Sequence, residues 1–254
     1  NLLNTSKVKN EKVNKLTPKE PCYCIYVGIG QKQSTIARIA KILKKPKHLY
    51  GVTALENKTE NDSLQVFTAA SYHQLIDCPV FFTKPDTVCF NINQTKVTLS
   101  VYDVQGKSRA HFLYNALKRD MQAVAKVLPV LPVKAYTFII YIDDLQALGD
   151  VLNGKAMPLL KKIKLALQFR NLGLGALEHG NSSVYYLGDF GPGISMHDLQ
   201  LESQLSSAAI HEFMHIITPL GLHSECIGNF NYQHPVMSKH LWLYEGVTEY
   251  FAQY

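Results

Sequence analysis

Two histidines and a glutamate stand at a spacing suited to metal chemistry in His211-Glu212-Phe213-Met214-His215. On a helix, residues four apart lie one above the other on a single face, so His211 and His215 can offer imidazole nitrogens to one cation. Glu212, beside them, can take a proton from water activated there. The flanking sequence predicts the helix. Ile210, Phe213, Met214 and Ile217 recur at i, i+3, i+4 and i+7, which gives one apolar side. Asp198 can cap the start, Glu202 suits the positive end of the dipole, and Pro219 marks the stop.

The pentapeptide arises by chance often enough that a third ligand has to decide the matter, because a catalytic zinc site takes three protein ligands and keeps one open position. The HExxHxxGxxH route to a third histidine is closed, since Thr218 and Gly221 occupy the positions it needs. The other route is a glutamate from a second helix. Ser238–Tyr254 reads as such a helix, with Trp242, Glu245 and Glu249 on one face and Leu243, Val247, Tyr250 and Tyr254 on a core-facing stripe. Gly246 is costly in a helix interior, about 1 kcal/mol, and its expected return is close approach to the histidine helix. Glu249, one turn beyond Glu245, is placed to accept the second ring N–H of a liganding histidine. Taken alone, Glu245 and Glu249 read better as a solvated acidic face; beside the histidine helix, the ligand reading is the better one.

Leu241-Trp242-Leu243-Tyr244-Glu245-Gly246-Val247-Thr248-Glu249-Tyr250-Phe251-Ala252, with the HEFMH stretch and Gly175-Ala176-Leu177-Glu178-His179, resembles the glycyl aminopeptidase family of metallopeptidases, family sixty-one. These are gluzincins, whose members often carry a PDZ module. The resemblance runs from about residue 70 to the end and implies one Zn2+ ion held by His211, His215 and Glu245, with Glu212 as general base. It also implies a peptide or protein substrate. Gly175, Ala176 and Glu178 parallel the cleft-lining motif of related aminopeptidases: small residues let a peptide pair with the strand edge, and Glu178 meets the free α-amino group. Family members are frequently exported. A tyrosine beyond the glutamate helix usually steadies the oxyanion in the clan, and the sequence given ends nine residues after Glu245, so a fragment is expected.

A chain of 254 residues with 46% hydrophobic and 18% charged residues has ample material for a core. No apolar run approaches the roughly 18 residues that span a bilayer. The net charge of +6 is unevenly spread: residues 1–47 carry +9 and the remainder −3. A basic arm can bind nucleic acid or lipid, but no nucleic-acid module accompanies it, so a solvated lead-in is expected and no nucleic acid. Five cysteines fit neither a disulfide framework nor a CxxC zinc site.

The predicted architecture is α+β. Residues 1–20 read as a mobile lead-in. Residues 21–107 form an N-terminal antiparallel β domain, with strands expected at Cys22–Gly30, Leu49–Leu55, Leu64–Ala69, Pro79–Thr83, Thr87–Ile92 and Val97–Tyr102 and a short helix at Ile36–Leu43. Leu75-Ile76-Asp77-Cys78-Pro79 resembles the Leu-x-Asp-x-Pro stretch near the end of the family's N-terminal domain. Residues 108–254 read as an incomplete thermolysin-like catalytic domain with a mixed sheet: a helix at His111–Leu128, a central strand at Tyr136–Ile142, a lysine-faced helix at Gly154–Phe169 and a strand at Ser182–Leu187. His223, Glu225, Cys226 and His234 are irregularly spaced and suit ordinary loop roles, while Tyr232 or His234 is placed to line a substrate pocket. A module that keeps the zinc and captures peptide without cleaving it fits the same residues.

Overall fold

A computed structural model of the chain describes residues 50–57, 67–83, 86–152, 154–169, 174–191, 200–231 and 233–253. The basic lead-in, Cys22–Gly30, Ile36–Leu43, the Asp198 cap, Tyr232 and Tyr254 lie outside these residues.

The first described elements are β1 (Tyr50–Val52), β2 (Glu56–Asn57), β3 (Phe67–Thr68), α1 (Tyr72–Asp77) and β4 (Phe81–Thr83). They make two small antiparallel pairs, β1 with β4 and β2 with β3. Next come β5 (Asp86–Ile92), β6 (Thr95–Asp103), α2 (Ala110–Val127), β7 (Ala135–Asp144), α3 (Gln146–Leu152) and α4 (Leu159–Phe169). The last are β8 (Gly175–Glu178), β9 (Ser182–Asp189), α5 (Leu201–Met214), α6 (Glu225–Gly228) and α7 (Leu241–Gln253). No helix among the described residues is long and apolar enough to cross a membrane.

A five-stranded mixed sheet, in the order β5-β6-β7-β9-β8, carries the site. β6, β7 and β9 run parallel, and an antiparallel strand closes each edge. The sequence dictates this layering. β7 is apolar at nearly every position, with Tyr136, Phe138, Ile139, Ile140 and Ile142 all buried, as a central strand covered on both faces must be. On one face, Val97, Leu99, Phe138, Ile140 and Tyr185 pack against Leu113, Leu117 and Met121 of α2 and Leu205, Ala209 and Phe213 of α5. On the other face, Tyr102, Tyr141 and Tyr186 stand abreast in register and stack, with ring centroids 5.5 and 5.3 Å apart. Phe81 of β4 packs edge-on against Tyr102 and Tyr141.

β6 pairs with β7 over Lys96–Asp103, so β5 and β6, expected in the N-terminal β region, join the sheet that holds the site. The reason is topological: α2 is the crossover that a parallel β6–β7 pair requires. The recurrence of short extended segments between turn signals marks strands without telling which sheet they join.

Strand β5 also caps α2 from a distance. Arg109, the N-cap residue, offers no side-chain oxygen. Asp86 Oδ2 instead accepts the N–H groups of Arg109 and Ala110 at 2.5 and 2.7 Å, and Oδ1 accepts the Ser108 hydroxyl at 3.1 Å. A carboxylate therefore sits at the positive end of the helix and satisfies two orphan donors. Arg109 in turn binds Asp103 at 3.0 Å and Asp189 at 2.5 Å, tying the ends of β6 and β9 together. Burial alone would raise the Asp189 carboxyl, yet the Gly191 N–H, Lys107 and Arg109 hold it below the ordinary carboxylate range.

Asp86→Ala is expected to lower stability by about 1–2 kcal/mol in urea denaturation, the usual cost of a lost cap with two donors stranded. Because the folded state depresses the Asp189 pKa, its contribution is complete above about pH 4 and is lost as pH falls through the lowered value. Asp189→Asn should therefore be less stable at neutral pH and shed less stability between about pH 5 and 2. Melting temperatures across that range test this.

Candidate metal centre

α5 is held on the sheet by apolar packing and by one polar clamp. The Gln204 amide donates to the Gly188 carbonyl at 3.0 Å and accepts the Gly188 N–H at 3.2 Å. Phe213 lies against Tyr136 and Phe138, with ring centroids at 4.7 and 6.4 Å. The Tyr136 hydroxyl, buried with Ser183 and Tyr185, reaches the carbonyl of Glu212 at 3.5 Å. The helix ends earlier than Pro219 predicted. α5 stops at Met214 and His215 is its cap, still in the right-handed region, because Ile216 and Ile217 bond to the carbonyls of Phe213 and Met214 in a tightened turn.

α7 brings the carboxylates. It begins at Leu241, and Ser238 Oγ accepts the His240 N–H just ahead of it. Its buried residues are Tyr244 and Thr248, with Phe251 half-buried against the core. The stripe expected to face the core does not: Leu243 is 43% and Tyr250 62% exposed. The face toward α5 is instead the one that carries Glu245, Thr248 and Glu249, through which the two helices meet; the buried Tyr244 accepts the Ser224 N–H, and Trp242 stands in the open. Gly246 makes no close approach either, for a Cβ there would meet nothing within 4 Å.

His211 and His215 stack edge to face, with centroids 4.9 Å apart. Each turns Nε2 toward one oxygen of Glu245, at 3.2 Å from His211 and 3.7 Å from His215. The opposite nitrogens are held separately. His211 Nδ1 donates to Glu249 Oε2 at 3.0 Å. His215 Nδ1 lies 3.0 Å from the Thr218 carbonyl, which can only accept, so that nitrogen carries the proton. Thr248 completes the arrangement: its hydroxyl donates to the Tyr244 carbonyl at 2.7 Å and its oxygen lies 3.2 Å from the same Nδ1. Both Nε2 lone pairs are thereby left for a cation, and the ligand atoms of His211, His215 and Glu245 lie within 4.8 Å of one another. Two imidazoles and a carboxylate with their outer nitrogens pinned are a donor set that fits a divalent ion such as zinc.

Glu212 is buried beside this trio, within 4.8 Å of the ligand atoms of Glu178 and His215. Its carboxyl is pushed up to about 7, first by burial and then by the charges of Glu178 and Glu245, with His211 opposing. β8 is the edge strand of the five-stranded sheet among the described residues. Ala176 and Glu178 share the face of β8 that looks toward α5, whereas Gly175 is exposed, with open space where a Cβ would stand. The loop side chains stay apart from this cluster. His223 Nδ1 donates to the Pro219 carbonyl, Cys226 sits against Ser224, and His234 is exposed.

Residues 20–84 match the model of the Peptidase M61 N-terminal domain, and residues 204–254 match that of the M61 glycyl aminopeptidase. The chain is therefore similar to the M61 glycyl aminopeptidases in two stretches. No curated protein sequence matches it. Among solved structures, the chain is similar in fold to an aminopeptidase N family protein from Idiomarina loihiensis, at 20% identity and a TM-score of 0.54. The alignment covers 80% of this chain and 30% of that one, so the sequence given spans less than a third of that protein.

Three contributors to the site were not singled out from the sequence: Thr248, the Thr218 carbonyl and Tyr136. Thr248 was within reach of sequence reasoning, since it lies three residues beyond Glu245 on the same helix. Thr248→Val is expected to weaken divalent-cation binding about tenfold and Thr248→Ser to recover most of it, as read by competition with a chromophoric chelator.

Proposed function

We propose that this chain is an M61-type peptidase and carries the catalytic centre of a zinc-dependent aminopeptidase. One observation supports the reading above the rest: two Nε2 atoms face a single oxygen of Glu245 while each Nδ1 is already occupied. That constrains the ring orientations that a cation needs, and a structural pair of histidines has no use for the constraint.

His211, His215 and Glu245 would hold the ion. Zinc bound there supplies Lewis-acid polarisation of the scissile carbonyl and acidifies water to a pKa of ~7. Glu212 takes the proton from the attacking water and returns it to the leaving amine. Its burial among like charges suits both halves of that task, because a carboxyl raised toward neutrality takes up and gives away a proton at similar cost. An extended peptide pairs its main chain with the free edge of β8, where Gly175 leaves room for it. Glu178 then receives the α-ammonium group in a charge-assisted contact, which places the first peptide bond, rather than an internal one, beside Glu212.

Glu212→Gln is expected to retain the ion and lower turnover of glycine p-nitroanilide by at least ~100-fold. His215→Ala should lose both ion and turnover. Metal analysis and initial rates on the same preparations separate the two effects. A metal-loaded Glu212→Gln protein that works at more than about a tenth of the parent rate would contradict the role given to Glu212.

A further inference from the structure

α1 ends on Asp77, inside the segment that matches the M61 N-terminal domain, and the Asp77 carboxylate reaches across to the β8–β9 hairpin. Asp77 Oδ2 accepts the Gly180 N–H at 2.8 Å, and Oδ1 lies 3.4 Å from Nδ1 of His179. A Cβ at position 180 would stand 2.6 Å from Asp77 Oδ2, so any larger residue there pushes the carboxylate away. Glu178 is the last residue of a four-residue edge strand, and the end of a short edge strand frays unless something ties it. The local charge makes matters worse, because Glu178 lies against Glu212 and the two carboxylates repel.

We propose that Asp77 is a positioning residue for amine recognition: it fixes the turn at His179-Gly180, and through that turn it keeps Glu178 facing the cleft against the repulsion of Glu212. This rests on the reading of Glu178 as the acceptor of the substrate's free amine. Asp77 acts through the backbone of the hairpin. In consequence, a residue of the N-terminal domain governs how tightly the catalytic sheet binds an amino terminus.

The test compares the wild-type protein with Asp77→Ala, Asp77→Asn and Gly180→Ala on glycine p-nitroanilide and its N-acetyl counterpart. Hydrogen exchange of residues 175–183 is followed in parallel. Loss of one buried acceptor corresponds to about a tenfold change in an equilibrium. Asp77→Ala should therefore raise KM for the free amine about tenfold, change kcat less than about threefold, and speed hairpin exchange by a similar factor. Asp77→Asn, which keeps an acceptor for the Gly180 N–H, should recover most of both effects, and Gly180→Ala should copy Asp77→Ala. Divalent-cation affinity should be the same in all four proteins. Unchanged hairpin exchange in Asp77→Ala overturns the proposal, as does an unchanged KM in a protein whose wild type prefers the free amine. A wild type that treats the two substrates alike sinks the Glu178 reading itself, and with it this role for Asp77; faster exchange in Asp77→Ala would then show a turn held for structural reasons only.

Discussion

Two imidazole rings keep their orientation because each has an acceptor of its own on the side away from the cleft. Glu249 serves His211, and the Thr218 carbonyl with Thr248 serves His215. The difference in burial between the rings matters. His215 is 2% exposed and would pay heavily for an unsatisfied N–H, so its partners are a backbone carbonyl and a buried hydroxyl that water does not reach. His211 stands nearer the surface and uses a carboxylate that is itself more than half exposed. Because Glu249 and Thr248 lie on α7 with Glu245, one helix both completes the ligand set and aligns the two rings. Any movement of α7 would disturb all three together.

The sheet explains why the arrangement stays put. Phe213 is the residue between the base and the second histidine that points inward, and it is wedged against Tyr136 and Phe138 of the central strand. Gln204, on the same helix, grips Gly188 of the neighbouring strand through both ends of its amide. An apolar wedge and a two-point polar clamp on one helix resist different motions, rolling in the first case and sliding in the second. On the far side, Phe81 rests on the row of stacked tyrosines, and Asp77 reaches over to the hairpin that carries Glu178. The segment before β5 is thus joined to the sheet through the Phe81 ring and to the β8–β9 hairpin through the Asp77 carboxylate.

What the sequence made legible follows from how local each signal is. Helical periodicity puts the i, i+4 histidines on one face and Glu245 with Glu249 on another, and the resemblance of both stretches to one peptidase family is what joined them into a single site. The face of α7 was misread because periodicity identifies stripes but not which stripe meets a neighbour, and here Tyr244 and Thr248 are buried while Leu243 and Tyr250 are exposed. Gly246 invited a packing explanation that the open space around it removes. A run of short strands does not tell which sheet each joins, and only the pairing of β6 with β7 reveals where the β5–β6 hairpin belongs. Asp86 capping a helix 23 residues away leaves no trace in any local window, and the motif around Asp77 does not reveal its partner 103 residues away.

The brevity of β8 has a consequence for the kind of molecule the cleft can hold. In a strand of four residues, alternate peptide groups already point at β9, so only about two are left to bond outward. On the function proposed above, a guest peptide would be gripped through its main chain over a very short length, and one whose first amides are alkylated, as with proline, would find few compensating bonds further along. Discrimination by backbone chemistry would then be concentrated at the leading end of the guest, with the rest of its length largely unread.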